Sequence, residues 1–140
     1  REPNLLAIKL GGSGDITGSD RVLWTNQRGN SYTASPVLQD GKIYFVTDSG
    51  MLSCFDVATG KPYYQQQRLG KPYNFKASPT AANGKLYLAT EEGDVVVVKM
   101  GEQFEVLAVN TLTDQSFISS PIIVDGTIYL RSQGALYAIR

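Results

Sequence analysis

The chain has 140 residues, one cysteine and no histidine, and its 13 Lys plus Arg balance 13 Asp plus Glu for a formal net charge of zero. That balance argues against the strong basic surface that nucleic acid or an anionic membrane requires. A lone cysteine excludes an intrachain disulfide and leaves the redox compartment open. The missing histidine removes the commonest zinc ligand and the commonest general base, and no stretch approaches the ~18 apolar residues of a membrane-spanning helix.

The chain opens on Arg1-Glu2-Pro3, which reads as a start trimmed from something longer. Two strands are expected next, Leu5–Lys9 and Arg21–Thr25, joined by the glycine-rich stretch Gly11–Asp20. A motif then recurs three times: Ser35-Pro36…Asp40-Gly41…Tyr44, Ser78-Pro79…Asn83-Gly84…Tyr87 and Ser120-Pro121…Asp125-Gly126…Tyr129. Its serines stand 43 and 42 residues apart. Each copy is a strand, a two-residue turn and a second strand, because Asp-Gly and Asn-Gly favour the positive φ of type I′ hairpins. A further turn leads to the third strands Met51–Phe55, Asp94–Val98 and Ala135–Ile139. Outer strands follow at Tyr63–Gln67 and Phe104–Val109.

A period near 40 built from four short strands is the pattern of a β-propeller. Runs such as Val95-Val96-Val97-Val98 are apolar on both faces, as radially stacked blades require, whereas a sheet wet on one face would alternate. Pro36, Pro79 and Pro121 fall in the first strand of each repeat, where a free inner edge tolerates a residue with no N–H. Four residues before the prolines, Tyr32, Phe75 and Phe117 are expected to wedge between blades. The fold class is therefore all-β, a partial propeller of about three to four blades: residues 1–30 as half a blade, 31–73 and 74–115 as whole blades, and 116–140 as an incomplete blade. Unpaired sheet edges are expected on Leu5–Lys9 and Ala135–Ile139, open to the rest of a larger ring or to a second copy.

The repeated Ser-Pro-x3-Asp/Asn-Gly-x-Ile/Leu-Tyr pattern, with Asp56-Val-Ala-Thr59-Gly60-Lys61 behind it, resembles the repeats of pyrroloquinoline-quinone-type propellers. That superfamily includes quinoprotein alcohol dehydrogenases and the lipoprotein of the outer-membrane β-barrel assembly machine. The resemblance implies a ring of seven or eight blades of which this chain is the C-terminal part, closed by a strand from elsewhere, and a periplasmic or secreted bacterial location. It also implies an interblade tryptophan after Thr-Gly-Lys. Trp24 fits that position in the first half-blade and Tyr64 in the next unit. In the third unit Glu105 falls there and Phe104 is the expected substitute.

Candidate sites follow from phase. Cys54 is equivalent to Ala7, Val97 and Ala138, a small buried core position. The Gly11–Asp20 insertion offers Asp15 and Asp20 as weak calcium ligands, without the closing Glu of a calcium loop. Loops between blades share one disc face with the turns between second and third strands. They offer Arg28, Asn30, Arg68, Lys71, Tyr73, Asn74, Lys76 and Asp114 to a protein partner. No catalytic constellation appears and no cofactor is expected. The expected function is a non-catalytic scaffold for protein or macromolecule binding. The alternatives are part of a dehydrogenase using pyrroloquinoline quinone and calcium, or a sensor propeller attached to a signalling module.

Overall fold

A computed structural model describes residues 4–140. Arg1-Glu2-Pro3 lies outside the described residues. Thirteen strands form four antiparallel sheets. The first pairs β1 (Leu5–Ile8) with β2 (Val22–Asn26). The second runs β3 (Val37–Gln39), β4 (Lys42–Val46), β5 (Met51–Asp56), β6 (Pro62–Arg68) from one edge to the other. The third repeats it with β7 (Thr80–Ala82), β8 (Lys85–Ala89), β9 (Asp94–Lys99) and β10 (Val106–Thr111). The fourth holds β11 (Ile122–Val124), β12 (Thr127–Arg131) and β13 (Leu136–Ile139). This is the partial propeller read from the repeat, with β1 and β13 each paired on one side only among the described residues.

The hairpin turns form as their residues dictate. Asp40-Gly41, Asn83-Gly84 and Asp125-Gly126 all hold positive φ, between 48° and 73°, which a β-branched pair could not do without strain. Each proline stands one residue before its inner strand, and that strand pairs on one side only. The outer strand β10 begins two residues later than the expected Phe104–Val109. Lys99 N–H donates to Glu105 O at 3.0 Å and a bulge separates Val106 from Ala108, so the turn consumes those residues before the ladder becomes regular.

Burial follows the blade stack. Val95–Val98 are all buried; Val96 and Val98 join the core between the second and third sheets, and Val95 joins the core between the third and fourth. Each fully buried aliphatic side chain of this kind contributes about 1.5–3 kcal/mol. Aromatics dock one blade on the next. Trp24 Nε1–H donates to Val57 O at 2.8 Å, and its ring lies over Gly60. Tyr64 sets its ring edge-on to Phe104 at 5.6 Å. Phe104, on the turn before β10, thus receives the aromatic of the preceding blade.

Phe75 and Phe117 are 1% and 0% exposed and wedge as expected, but Tyr32 is 72% exposed and does not. Phe75 N–H bonds Asp48 O and Phe117 N–H bonds Thr90 O, in each case on the turn of the preceding sheet. The turn that would play this part for Tyr32 falls before β1, outside the described residues, and Tyr32 N–H bonds Asp48 Oδ1 on its own sheet's turn. The motif tyrosines grade from Tyr44, 1% exposed, through half-buried Tyr87 to Tyr129 at 37%.

The motif serines have a role that spacing alone did not reveal. Ser35 N–H donates to Ser78 Oγ at 2.8 Å, and Ser78 N–H donates to Ser120 Oγ at 2.9 Å. Each hydroxyl therefore satisfies the preceding blade's inner backbone at the point where proline has removed the next donor.

Candidate binding face

Three loops and the turns beside them build one face of the stack. The loop from β6 to β7 is latched to the turn between β4 and β5 by Leu69 N–H to Gly50 O and Phe75 N–H to Asp48 O. Glu91 N–H donates back to Asn74 O, and the loop from β10 to β11 is tied by Leu112 N–H to Gly93 O and Phe117 N–H to Thr90 O. Two of the loops are thus pinned at both ends by main-chain bonds, and the loop from β2 to β3 is held by side chains, Ser31 Oγ–H to Val46 O and Tyr32 N–H to Asp48 Oδ1.

Its centre is Asp94, whose side chain is 3% exposed. Thr111 Oγ1–H donates to Asp94 Oδ1 at 2.6 Å, Lys71 Nζ approaches Oδ2 at 2.9 Å, and Thr90 Oγ1 accepts from Asp94 N–H at 3.1 Å. Burial alone would push this carboxyl upward, but hydrogen bonds from Thr111, Lys71 and Tyr73, with the Lys71 charge, outweigh it and hold Asp94 below its ordinary range. Desolvation and the Asp94 carboxylate together push the Tyr73 phenol up to about 12. Lys71 also lies 5.1 Å from the Tyr73 ring centroid, so its stem and charge are fixed from two sides.

The eight residues expected to offer contacts divide sharply. Lys71 and buried Tyr73 belong to the Asp94 cluster. Asn74 is held by Glu92, with Nδ2 at 2.7 Å from Oε1. Lys76 pairs with Asp48 at 3.8 Å. Asn30 is buried and exchanges side-chain hydrogen bonds with Asn26. Arg28, Arg68 and Asp114 are exposed and make no ion pair among the described residues. Gly29 and Gln66 are in close contact, which brings the neighbourhoods of Arg28 and Arg68 together. Sequence reasoning did not single out Thr111. A Thr at the end of a strand carries no signal of its own, although a carboxylate opening an apolar run, as Asp94 does, is a sign of an anchored charge.

Elsewhere, Asp15 Oδ1 accepts Thr17 N–H at 2.9 Å, a local turn that lowers the carboxyl's pKa. Ser19 and Arg21 tie the same insertion down through Ile16 O and Leu10 O. Among the described residues no group of three or more His, Cys, Asp or Glu side chains gathers. Asp15 and Asp20 both line an open depression of about 310 Å³. Cys54 is buried, its thiol pushed up to about 11 chiefly by desolvation, and it donates weakly to Gly101 O at 3.7 Å. It is the core position that its phase implied.

Against known proteins, residues 14–140 match the family described as outer membrane protein assembly factor BamB. The chain belongs to the BamB family. None of the curated proteins matches it. Among solved structures, BamB from Moraxella catarrhalis superposes with a TM-score of 0.76 at 16% identity, over 99% of this chain and 40% of that one. The quinohemoprotein alcohol dehydrogenase ADHIIG from Pseudomonas putida HK5 gives 0.58 at 14% identity, over 76% of this chain and 17% of that one. A europium-containing methanol dehydrogenase gives 0.52 at 15%, over 69% and 20%. At these identities the structures establish a shared propeller fold. This BamB-family chain spans about two-fifths of the Moraxella BamB structure.

Proposed function

We propose that this chain is a non-catalytic propeller scaffold that displays the Asp94-anchored face to a protein partner in the bacterial envelope or outside the cell. The family description supports an assembly role at the outer membrane. The observation that carries the reading is the division within the face itself. Lys71, Asn74 and Lys76 are engaged internally and make the loops rigid, which lowers the ordering cost of binding. Arg28 and Arg68 stand out from that frame as exposed side chains, of a type that commonly anchors interfaces. The remainder of a larger ring is a second partner, through the open edges of β1 and β13.

The test is photo-crosslinking in the envelope from an unnatural residue placed at Arg28 or Arg68, with Gln65 on the outer strand as the control. Adducts to an outer-membrane assembly component from the two arginine positions, and few from Gln65, are expected. Equal labelling from all three would remove the case for the face. Titration with pyrroloquinoline quinone and calcium should leave a redox dye unreduced; saturable binding with dye reduction would replace the scaffold by a dehydrogenase.

A further inference from the structure

Charge on the binding face is neutralised unevenly. Lys71 and Lys76 are held by Asp94 and Asp48, and Asp48 also receives the Tyr32 N–H. The side chains of Arg28 and Arg68 are exposed and have no partner among the described residues. Their backbones are nevertheless fixed. Arg28 O accepts Asn26 Nδ2–H at 2.8 Å. Arg68 pairs with Met51 in the ladder, and the following N–H, of Leu69, bonds Gly50 O.

The two segments meet at the seam between the first and second sheets. A Cβ at Gly29 would overlap the Gln66 side-chain amide, so the loop lies directly on β6 there. Among the described residues Gln66 is the one non-glycine with positive φ inside a strand, at 52°. Its N–H is taken by Ser53 Oγ at 2.9 Å, and the ladder is irregular on either side of Cys54. Backbone strain of this kind persists where the surrounding structure holds it in place, and it gathers at ligand-binding positions. Here it seats Gln66 on Gly29 and brings two long guanidinium side chains, one residue and two residues away, within reach of a common point. Like charges held near each other repel, and an anion between them relieves the repulsion.

We propose that Arg28 and Arg68 form a clamp for a carboxylate side chain, an Asp or a Glu, in the segment that the protein partner lays on this face. The inference rests on the scaffold reading above and adds the chemistry of the partner. A guanidinium presents paired N–H donors that match the two oxygens of a carboxylate. A phosphate-rich lipid surface is the poorer fit. Farther along the same face the unpaired side chains are acidic, Glu91 on the turn between β8 and β9 and Asp114 on the loop from β10 to β11, and they would repel an extended anionic layer. A single acidic side chain over the arginines meets no such opposition. The change of sign along the face also fixes the direction of the partner segment, with its acidic part over the seam of the first two sheets.

The test places a photo-crosslinking residue at Gln27, which is exposed and beside the clamp, so that both arginines stay in place. In the envelope this position should yield a protein adduct whose crosslinked peptide carries an Asp or Glu close to the point of attachment. Arg28→Glu combined with Arg68→Glu should abolish the adduct, and loss of one arginine as Arg28→Gln should weaken it about tenfold, as for one hydrogen bond to a charged group. Arg28→Lys combined with Arg68→Lys should retain it at reduced yield, because the charge survives without the fork. Neither side chain has an intramolecular partner, so the urea midpoints of these variants should match the wild type and separate lost recognition from lost fold. An adduct unmoved by the double charge reversal would overturn the clamp and leave the scaffold reading standing. Attachment to lipid, or to a protein segment without a carboxylate, would do the same. Absence of any adduct from Gln27, Arg28 and Arg68 would remove the face and the clamp together.

Discussion

Replacing Asp94 by Ala removes the group on which three segments of the face converge. The carboxylate accepts one short bond from Thr111 and one charge-assisted contact from Lys71. A hydrogen bond to a charged group contributes about 1.5–3 kcal/mol. The Lys71 side chain is 57% exposed, so solvent screening reduces its share to about 0–1 kcal/mol. The alanine also relieves the cost of burying a carboxylate, which places the expected loss near the lower end, at about 2 kcal/mol. In urea this moves the unfolding midpoint down by about 1 M for a slope of ~2 kcal/mol/M. The pH dependence has a definite sign. The folded carboxyl titrates below its ordinary 3.8, so its contribution is complete above 3.8 and is lost as the pH falls through the lowered folded value. The difference between wild type and Asp94→Ala should therefore be largest near neutrality and shrink in acid. Lys71→Met, which removes only the exposed partner, should lose no more than about 1 kcal/mol. A loss under about 0.5 kcal/mol for Asp94→Ala, or a difference that persists unchanged in acid, would show that the cluster does not hold the face.

Two further substitutions probe the contacts between blades. At Gly60, φ is +70° and an added Cβ would come within 2.6 Å of the Trp24 ring; Gly60→Ala should cost more than about 1 kcal/mol and red-shift the emission of the sole tryptophan. Tyr64 Oη is buried without a hydrogen-bond partner among the described residues; Tyr64→Phe should leave stability unchanged or raise it by up to about 1–2 kcal/mol, and a loss in thermal or urea unfolding would reveal a bond to that hydroxyl.

The architecture was legible because its signals are local and repeated. Asp-Gly and Asn-Gly turns, prolines at inner edges and doubly apolar runs each state a backbone requirement, and three copies agree in phase. Cys54 was legible for the same reason, through its equivalents Ala7, Val97 and Ala138. The face was less so. Exposure of Lys71, Asn74 and Lys76 could be guessed from loop position, but their engagement by Asp94, Glu92 and Asp48 depends on how the loops fold over adjacent turns, and pairings across 18 to 28 residues leave no periodic trace. Tyr32 departs from Phe75 and Phe117 although all three share a motif position: those two pack on the turn of a preceding sheet, and the counterpart for Tyr32 lies outside the described residues. The late start of β10 has a similar origin in a bulge that composition does not announce.

The serine relay along the inner edge gives the stack a directional grammar. The Ser78 repeat brings one donor for the repeat ahead and one acceptor for the repeat behind, so a whole repeat of this kind can be spliced in or lost with each bond re-formed between new neighbours. A splice out of phase would leave a serine N–H without its acceptor and a serine Oγ without its donor, and the adjacent proline has no N–H to offer that oxygen. Duplication in whole units is thereby nearly neutral and duplication in fractions is penalised at once. Inner-edge chemistry, as much as the packing of blade faces, can set the step size by which such a ring changes over evolutionary time.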